Sequence, residues 1–162
     1  MNDDSNIIAT RLQFIPRDKA GMRLWLKLSS MVQLIETRIR KHLTDQYETT
    51  LPRFEVLSAL ERVPEGLTMV ELSRWLMVTK GNITGIAERL SEDNLIERNP
   101  TPSDLRTFCL TLTPKGHKLI TKMLESYEKL LEDMFEGITI EETDNLSGLL
   151  SRLKDNVDNL EQ

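Results

Sequence analysis

From Met22 to about Leu43 the apolar residues Trp25, Leu28, Val32, Ile35, Ile39 and Leu43 recur every three or four positions, which predicts one face of a long helix. Leu24, Met31 and Leu34 widen that face beyond what one neighbouring helix covers. Upstream, up to Lys19, the chain is polar with scattered apolar residues, and Pro16 discourages helix, so residues 1–20 are expected to form an arm. Pro52 suits a first helical turn, and Phe54, Leu57 and Leu60 then mark a short helix that ends before Pro64-Glu-Gly66. Thr68-Met-Val-Glu71 has the spacing of a capping box, in which the threonine hydroxyl accepts from the Glu71 amide while the carboxylate reaches back. Met69, Leu72, Trp75 and Leu76 are expected to supply the buried face of the helix that follows.

After a break at Met77-Val78, residues Thr79 to Asp93 place Ile83, Ile86, Ala87 and Leu90 on one side. Two short helices, a tight connection and a third helix make a helix-turn-helix. The period then falls from 3.6 to 2. Leu95-Ile-Glu-Arg98 reads as a strand and Asn99-Pro-Thr-Pro-Ser-Asp104 as a loop. Thr107 to Leu112 reads as a second strand alternating Thr/Cys/Thr with Phe/Leu/Leu. A hairpin attached to a helix-turn-helix is a winged helix. Thr113-Pro114 opens another helix carrying Leu119, Met123, Tyr127, Leu130 and Met134, which Gly137 is expected to stop. Thr139-Ile-Glu-Glu142 is a second capping box, and Leu146, Leu149, Leu150, Leu153, Val157 and Leu160 run along the last helix. The first helix and the last two are long and apolar enough to need a partner, and a second copy of the chain supplies one.

Composition narrows the picture. With 162 residues, 39% hydrophobic and 29% charged, the chain suits a soluble globular protein of one domain or two small units. Its apolar runs are too short to span a bilayer, and the acidic start Met1-Asn-Asp-Asp4 lacks the pattern of a secretory signal. A single cysteine, Cys109, excludes an internal disulfide and suits a reducing cytoplasm. The net charge of −5 argues against a nucleic-acid binder only if it is evenly spread. It is not: residues 1–51 carry +2, residues 52–118 carry 0 and residues 119–162 carry −7.

The stretch from Leu95 to Gly116 carries a specific pattern: Leu-Ile-Glu-Arg-Asn-Pro, then Asp104-Leu-Arg106, then Leu110-Thr-Leu-Thr-Pro-Lys-Gly116. In order and spacing it resembles the MarR family of winged helix-turn-helix transcriptional regulators, and the resemblance runs from about Met22 to Leu160. Many members carry two arginines after the aspartate, and this chain has Leu105 in the first place. The resemblance implies a mainly α fold with a small β-hairpin, in which a winged helix-turn-helix domain is joined to a helical dimerisation region built from the N- and C-terminal helices. The expected division is an arm at 1–20, a dimerisation helix at 21–50, the DNA-binding domain at 51–116 and the C-terminal dimerisation helices at 117–162. It further implies a homodimer that binds double-stranded DNA and a small aromatic or anionic effector held between the two regions, with Met22, Trp25 and His42 among residues placed to line that cleft.

The chemistry of reading follows from the helix faces. With Ile83, Ile86, Ala87 and Leu90 directed inward, the third helix turns Lys80, Asn82, Thr84, Gly85 and Arg89 outward, with Thr79 as its cap. Asn82 can pair bidentately with adenine, whereas Lys80 and Arg89 suit phosphates or a guanine. Thr79 would leave the first-turn amides and the helix dipole directed at a phosphate. Gly81 and Gly85 allow either close backbone approach to DNA or a frayed helix end. Arg106, beside the hairpin turn, suits a narrow minor groove, and Asp104 is expected to orient it or tie down the loop.

Blander readings stand beside these. Cys109 is expected to be a quiet hairpin residue rather than a redox sensor, and Trp75 a core residue rather than a base-stacking one. His42 and His117 lack ligand spacing, so no metal or other cofactor is expected; His117 is expected at the surface. The acidic last third reads as a solvated face. No glycine-rich phosphate loop or catalytic set is present, which argues against an enzyme. The competing function is a winged-helix module for protein–protein contact without DNA binding, favoured by the neutral 52–118 segment and by Leu105.

Overall fold

Helix α1 (Ala20–Tyr47) is followed by α2 (Leu51–Arg62), the two-residue strand β1 (Leu67–Thr68), α3 (Met69–Trp75) and α4 (Lys80–Glu92). The strands β2 (Ile96–Thr101) and β3 (Asp104–Leu112) precede α5 (Pro114–Met134) and α6 (Ile140–Asp158), with one 3₁₀ turn at Asn159–Glu161. This computed structural model describes residues 16, 18–101 and 104–161, with the side chains at 80, 101–107 and 161 outside that description. The arm expected at 1–20 falls almost entirely outside the described residues. Among those described, no helix is long and apolar enough to cross a membrane. The chain forms two compact units, residues 1–126 and 127–162.

The core of the first unit gathers one residue set from each element. Ile39 and Leu43 come from α1, Phe54, Val56, Leu57 and Leu60 from α2, Leu72 from α3, and Ile83, Ala87 and Leu90 from α4; Ile96, Leu110 and Leu112 add the sheet, and Ile120 and Met123 the start of α5. Apart from Ala87, each of these buried side chains is worth about 1.5–3 kcal/mol relative to an exposed position. The hydrophobic steps of three and four in α2 and α4 thus serve one shared core.

The sheet differs from the expected hairpin in two ways. First, it has three strands in the order β1-β3-β2, because Leu67 pairs with Leu110 and Thr68 with Cys109. Gly66 makes this possible: at φ +88° it turns the chain onto β3 so closely that a Cβ would lie 2.7 Å from the Leu110 carbonyl oxygen. Second, residues 99–104 are not one loop. Asn99 pairs with Cys109, Pro100 with Phe108 and Thr101 with Asp104, with a register shift between the last two pairs. Pro100 is tolerated because β2 is an edge strand, where a missing N–H interrupts no central ladder.

Both capping boxes are formed. Thr68 Oγ1 accepts from the Glu71 N–H at 3.3 Å while a Glu71 carboxylate oxygen accepts from the Thr68 N–H at 2.8 Å. Thr139 and Glu142 repeat the arrangement at 3.2 and 2.9 Å. Gly137 takes φ +85° past the end of α5.

Trp75 corrects the expected core. It is 49% exposed, Met69 and Leu76 are half-buried, and only Leu72 of that set is fully inside. At about 100° per residue, Trp75 stands about 60° round the helix from Leu72. It is also the last residue of a seven-residue helix, which is too short to cover an indole at that angle.

Candidate nucleic-acid interface

Helix α4 presents two faces of opposite character. Ile83, Ala87 and Leu90 are fully buried and Ile86 half-buried, while Thr79, Gly81, Asn82, Thr84, Gly85 and Arg89 are exposed. Thr79 is the N-cap at φ −69° and ψ 147°, and its side chain makes no capping hydrogen bond. The Thr79 side chain therefore satisfies none of the first-turn amides of α4, although its carbonyl accepts from the Asn82 N–H at 3.1 Å. Lys80 is the first helical residue, and its side chain lies outside the described set. At Gly81 and Gly85 an added Cβ would meet nothing within 4 Å. Since α4 is regular through both positions, the packing of the fold does not require either glycine.

The helix is held at its C-terminal end. Arg53 of α2 donates from Nη2 to Asp93, the C-cap of α4, and this pulls the Asp93 carboxyl below the usual range, first through the hydrogen bond and then through the charge. Lys115 Nζ donates to the Asp93 carbonyl at 2.7 Å and Thr113 Oγ1 to the Asn94 carbonyl at 2.7 Å. Gly116 lies so close that a Cβ would stand 2.0 Å from the Leu95 carbonyl oxygen. The Leu110–Gly116 segment thus ties together the wing, the C-terminal end of α4 and the start of α5. Arg53 was absent from the sequence-based set, since its partner lies forty positions away and no local spacing reports the pair.

At the wing, Asp104 and Arg106 lie on β3, with Asp104 opposite Thr101. Their side chains are outside the described set. Asp104 therefore begins a strand rather than closing a loop. Nearby, Asn99 Nδ2 donates to Thr111 Oγ1 at 2.8 Å and to Glu97 at 3.2 Å. Cys109 is buried, and its thiol contacts the Asn99 carbonyl at 3.5 Å.

The chain belongs to the MarR family of DNA-binding transcriptional regulators. The MarR family model matches residues 47–107, which span α2 to the wing. An HTH-type transcriptional regulator of Bacillus subtilis, YsmB, is 30% identical over 102 residues, covering 63% of this chain and 69% of that protein. Among solved structures, a MarR/EmrR family transcriptional regulator from Acinetobacter superimposes with a TM-score of 0.75 at 20% identity, over 90% of this chain and 99% of that one. FabT of Streptococcus pneumoniae, solved in complex with DNA, gives a TM-score of 0.73 at 22% identity, over 86% and 99%. These two show the shared fold.

The residues expected to line an effector cleft are not brought together in the MarR chain. Met22 and Trp25 are exposed near the start of α1, with Trp25 66% open. His42 lies about 30 Å further along the same helix from Met22, at about 1.5 Å per residue. There its Nε2 is 2.6 Å from Ser126 Oγ and its ring centroid 6.3 Å from that of Tyr47. His117, expected to be a solvated surface residue, has its Nδ1 2.7 Å from a carboxylate oxygen of Glu61. Among the described residues, no group of three or more His, Cys, Asp or Glu is placed to hold a metal ion.

Proposed function

We propose that this MarR regulator is a symmetric dimer that binds a pseudo-palindromic operator, represses transcription from it in the cytoplasm, and is released by a small aromatic or anionic effector. The observation that carries the DNA-reading part is the division of α4: Asn82, Gly85 and Arg89 are exposed while Ile83, Ala87 and Leu90 anchor the same helix in the core. A helix so mounted fits a major groove with its outward side chains at base edges. In this reading Asn82 recognises a base, and Thr79, Lys80, Thr84 and Arg89 meet phosphates or guanine. Arg106, oriented by Asp104, enters the minor groove.

Dimerisation is supported by apolar side chains left open in both units. Met22, Leu24, Trp25, Met31 and Val32 are exposed on α1, and α6 has no buried residue although Leu146, Leu149, Leu150, Leu153 and Val157 lie along it. Residues 21–50 and 117–162 then form the dimer body and residues 51–116 the reading head, with half-sites about one helical turn apart. Because Met22 and His42 stand at opposite ends of α1, an effector cleft using Met22, Trp25 and His42 would draw them from both copies.

Binding to DNA from upstream of the chain's own gene, compared with an unrelated duplex, tests the assignment. Arg106→Ala is expected to weaken binding to both duplexes, and Asn82→Ala to weaken the specific one selectively. Unchanged affinities for both variants would overturn it and favour the protein–protein module.

A further inference from the structure

A groove of about 590 Å³ runs along one flank of α4, between Asn82, Gly85, Ile86 and Arg89 on that helix and the first turn of α2. Pro52, Leu76 and Val78 give it an apolar floor, and Arg53 forms part of the α2 wall. The Arg53 side chain is only 23% exposed, and its Nε is buried without an acceptor. A buried donor left unmade is destabilising, so the Arg53 guanidinium keeps hydrogen-bonding capacity that an anionic oxygen seated against it can satisfy. Asp93 fixes the guanidinium at one corner through Nη2.

The position of the groove says what that oxygen belongs to. An α-helix with its side chains is about 10–12 Å across and fills a major groove about 12 Å wide. The phosphates that edge a DNA groove must then pass along the flanks of a helix lying in it. This flank of α4 shares Asn82, Gly85 and Arg89 with the reading face.

We propose that the groove seats a phosphodiester of the bound duplex, with Arg53 on α2 and Arg89 on α4 as its two cationic walls. The inference rests on the DNA-reading function proposed above. It brings the first turn of α2, within the reading head, onto the duplex and supplies a cation that neither α4 nor the wing contributes. Thr50 caps α2 without a side-chain hydrogen bond, so the positive end of that helix adds to the same field. Two carboxylates on the groove oppose it, Glu48 and Glu55. Burial, the largest influence on Glu55, holds its carboxyl toward the neutral form, and Arg40 partly offsets this by favouring its charge.

The test is the salt dependence of binding to a fluorescein-labelled duplex of the chain's own upstream DNA. Each phosphate neutralised contributes about 0.9 to the slope of log affinity against log salt, measured between about 50 and 200 mM. Arg53→Gln is expected to lower affinity about tenfold and reduce the slope by about 0.9, and Arg53→Lys to restore the slope. Arg38→Gln, on the exposed surface of α1, controls for loss of any positive charge and should leave both unchanged. An affinity loss with the slope intact would make Arg53 a positioning residue acting through Asp93 and would overturn the proposal, as would no change at all. A wild-type chain that binds with no salt dependence would instead overturn the DNA-reading function itself.

Discussion

Gly85 and Gly116 are both glycines in helices, yet an added Cβ meets open space at the first and the Leu95 carbonyl at the second. Gly85→Ala is therefore expected to stabilise the chain by about 1 kcal/mol, the ordinary helix preference. It should weaken operator binding at the same time, because the methyl group stands on the reading face; chemical denaturation and anisotropy titrations check the two effects separately. Gly116→Ala is expected to cost about 3 kcal/mol through overpacking, seen as a lower urea midpoint at unchanged m. The outward set Asn82, Thr84, Gly85 and Arg89 was legible because helical periodicity alone decides which side chains share the face opposite Ile83, Ala87 and Leu90. Trp75 was misread by the same rule, since periodicity gives direction but not how far a short helix is covered. Arg53 was invisible, because its role depends on meeting Asp93 from another helix.

Between elements, the contact of α1 with α2 carries a pH signature. Glu55 on α2 is partly buried, and burial raises its carboxyl above the ordinary value of 4.5, with Arg40 opposing and Glu36 adding to the shift. A carboxyl whose folded pKa lies above its unfolded one contributes stability that is fully present below about 4.5 and is lost as pH rises through the folded value. Glu55→Gln removes that penalty, so it should raise the melting temperature at pH 7 and do so much less at pH 4; an equal effect at both would refute the assignment. The capping boxes at Thr68 and Thr139 titrate the other way, since the threonine amide and hydroxyl hold Glu71 and Glu142 below the usual carboxylate range. Both boxes were legible because each is contained in four consecutive residues. β1 was not, because two residues become a strand only by pairing with β3 more than forty positions on.

For the whole molecule, the charge distribution and the open apolar faces describe one plan. The −7 of residues 119–162 lies in the segment assigned to dimerisation, whereas the 52–118 segment assigned to DNA is neutral. With no residue of α6 buried, its leucines need a partner surface, and each one covered contributes about 1.5–3 kcal/mol. Leu149→Asp with Leu153→Asp should halve the solution mass from about twice 18.7 kDa, as read by light scattering, while leaving the helicity of the first unit intact. A wild-type mass of one chain would remove the dimer from the account. The most direct test of the central claim is a stoichiometric anisotropy titration of the wild-type chain on the inverted repeat of its own upstream DNA, repeated at two salt concentrations. Two chains per repeat, with an affinity that falls steeply as salt rises, is the result expected of a dimer placing two α4 helices and two wings on one duplex. A single chain per site, or an affinity indifferent to salt and to sequence, would contradict it.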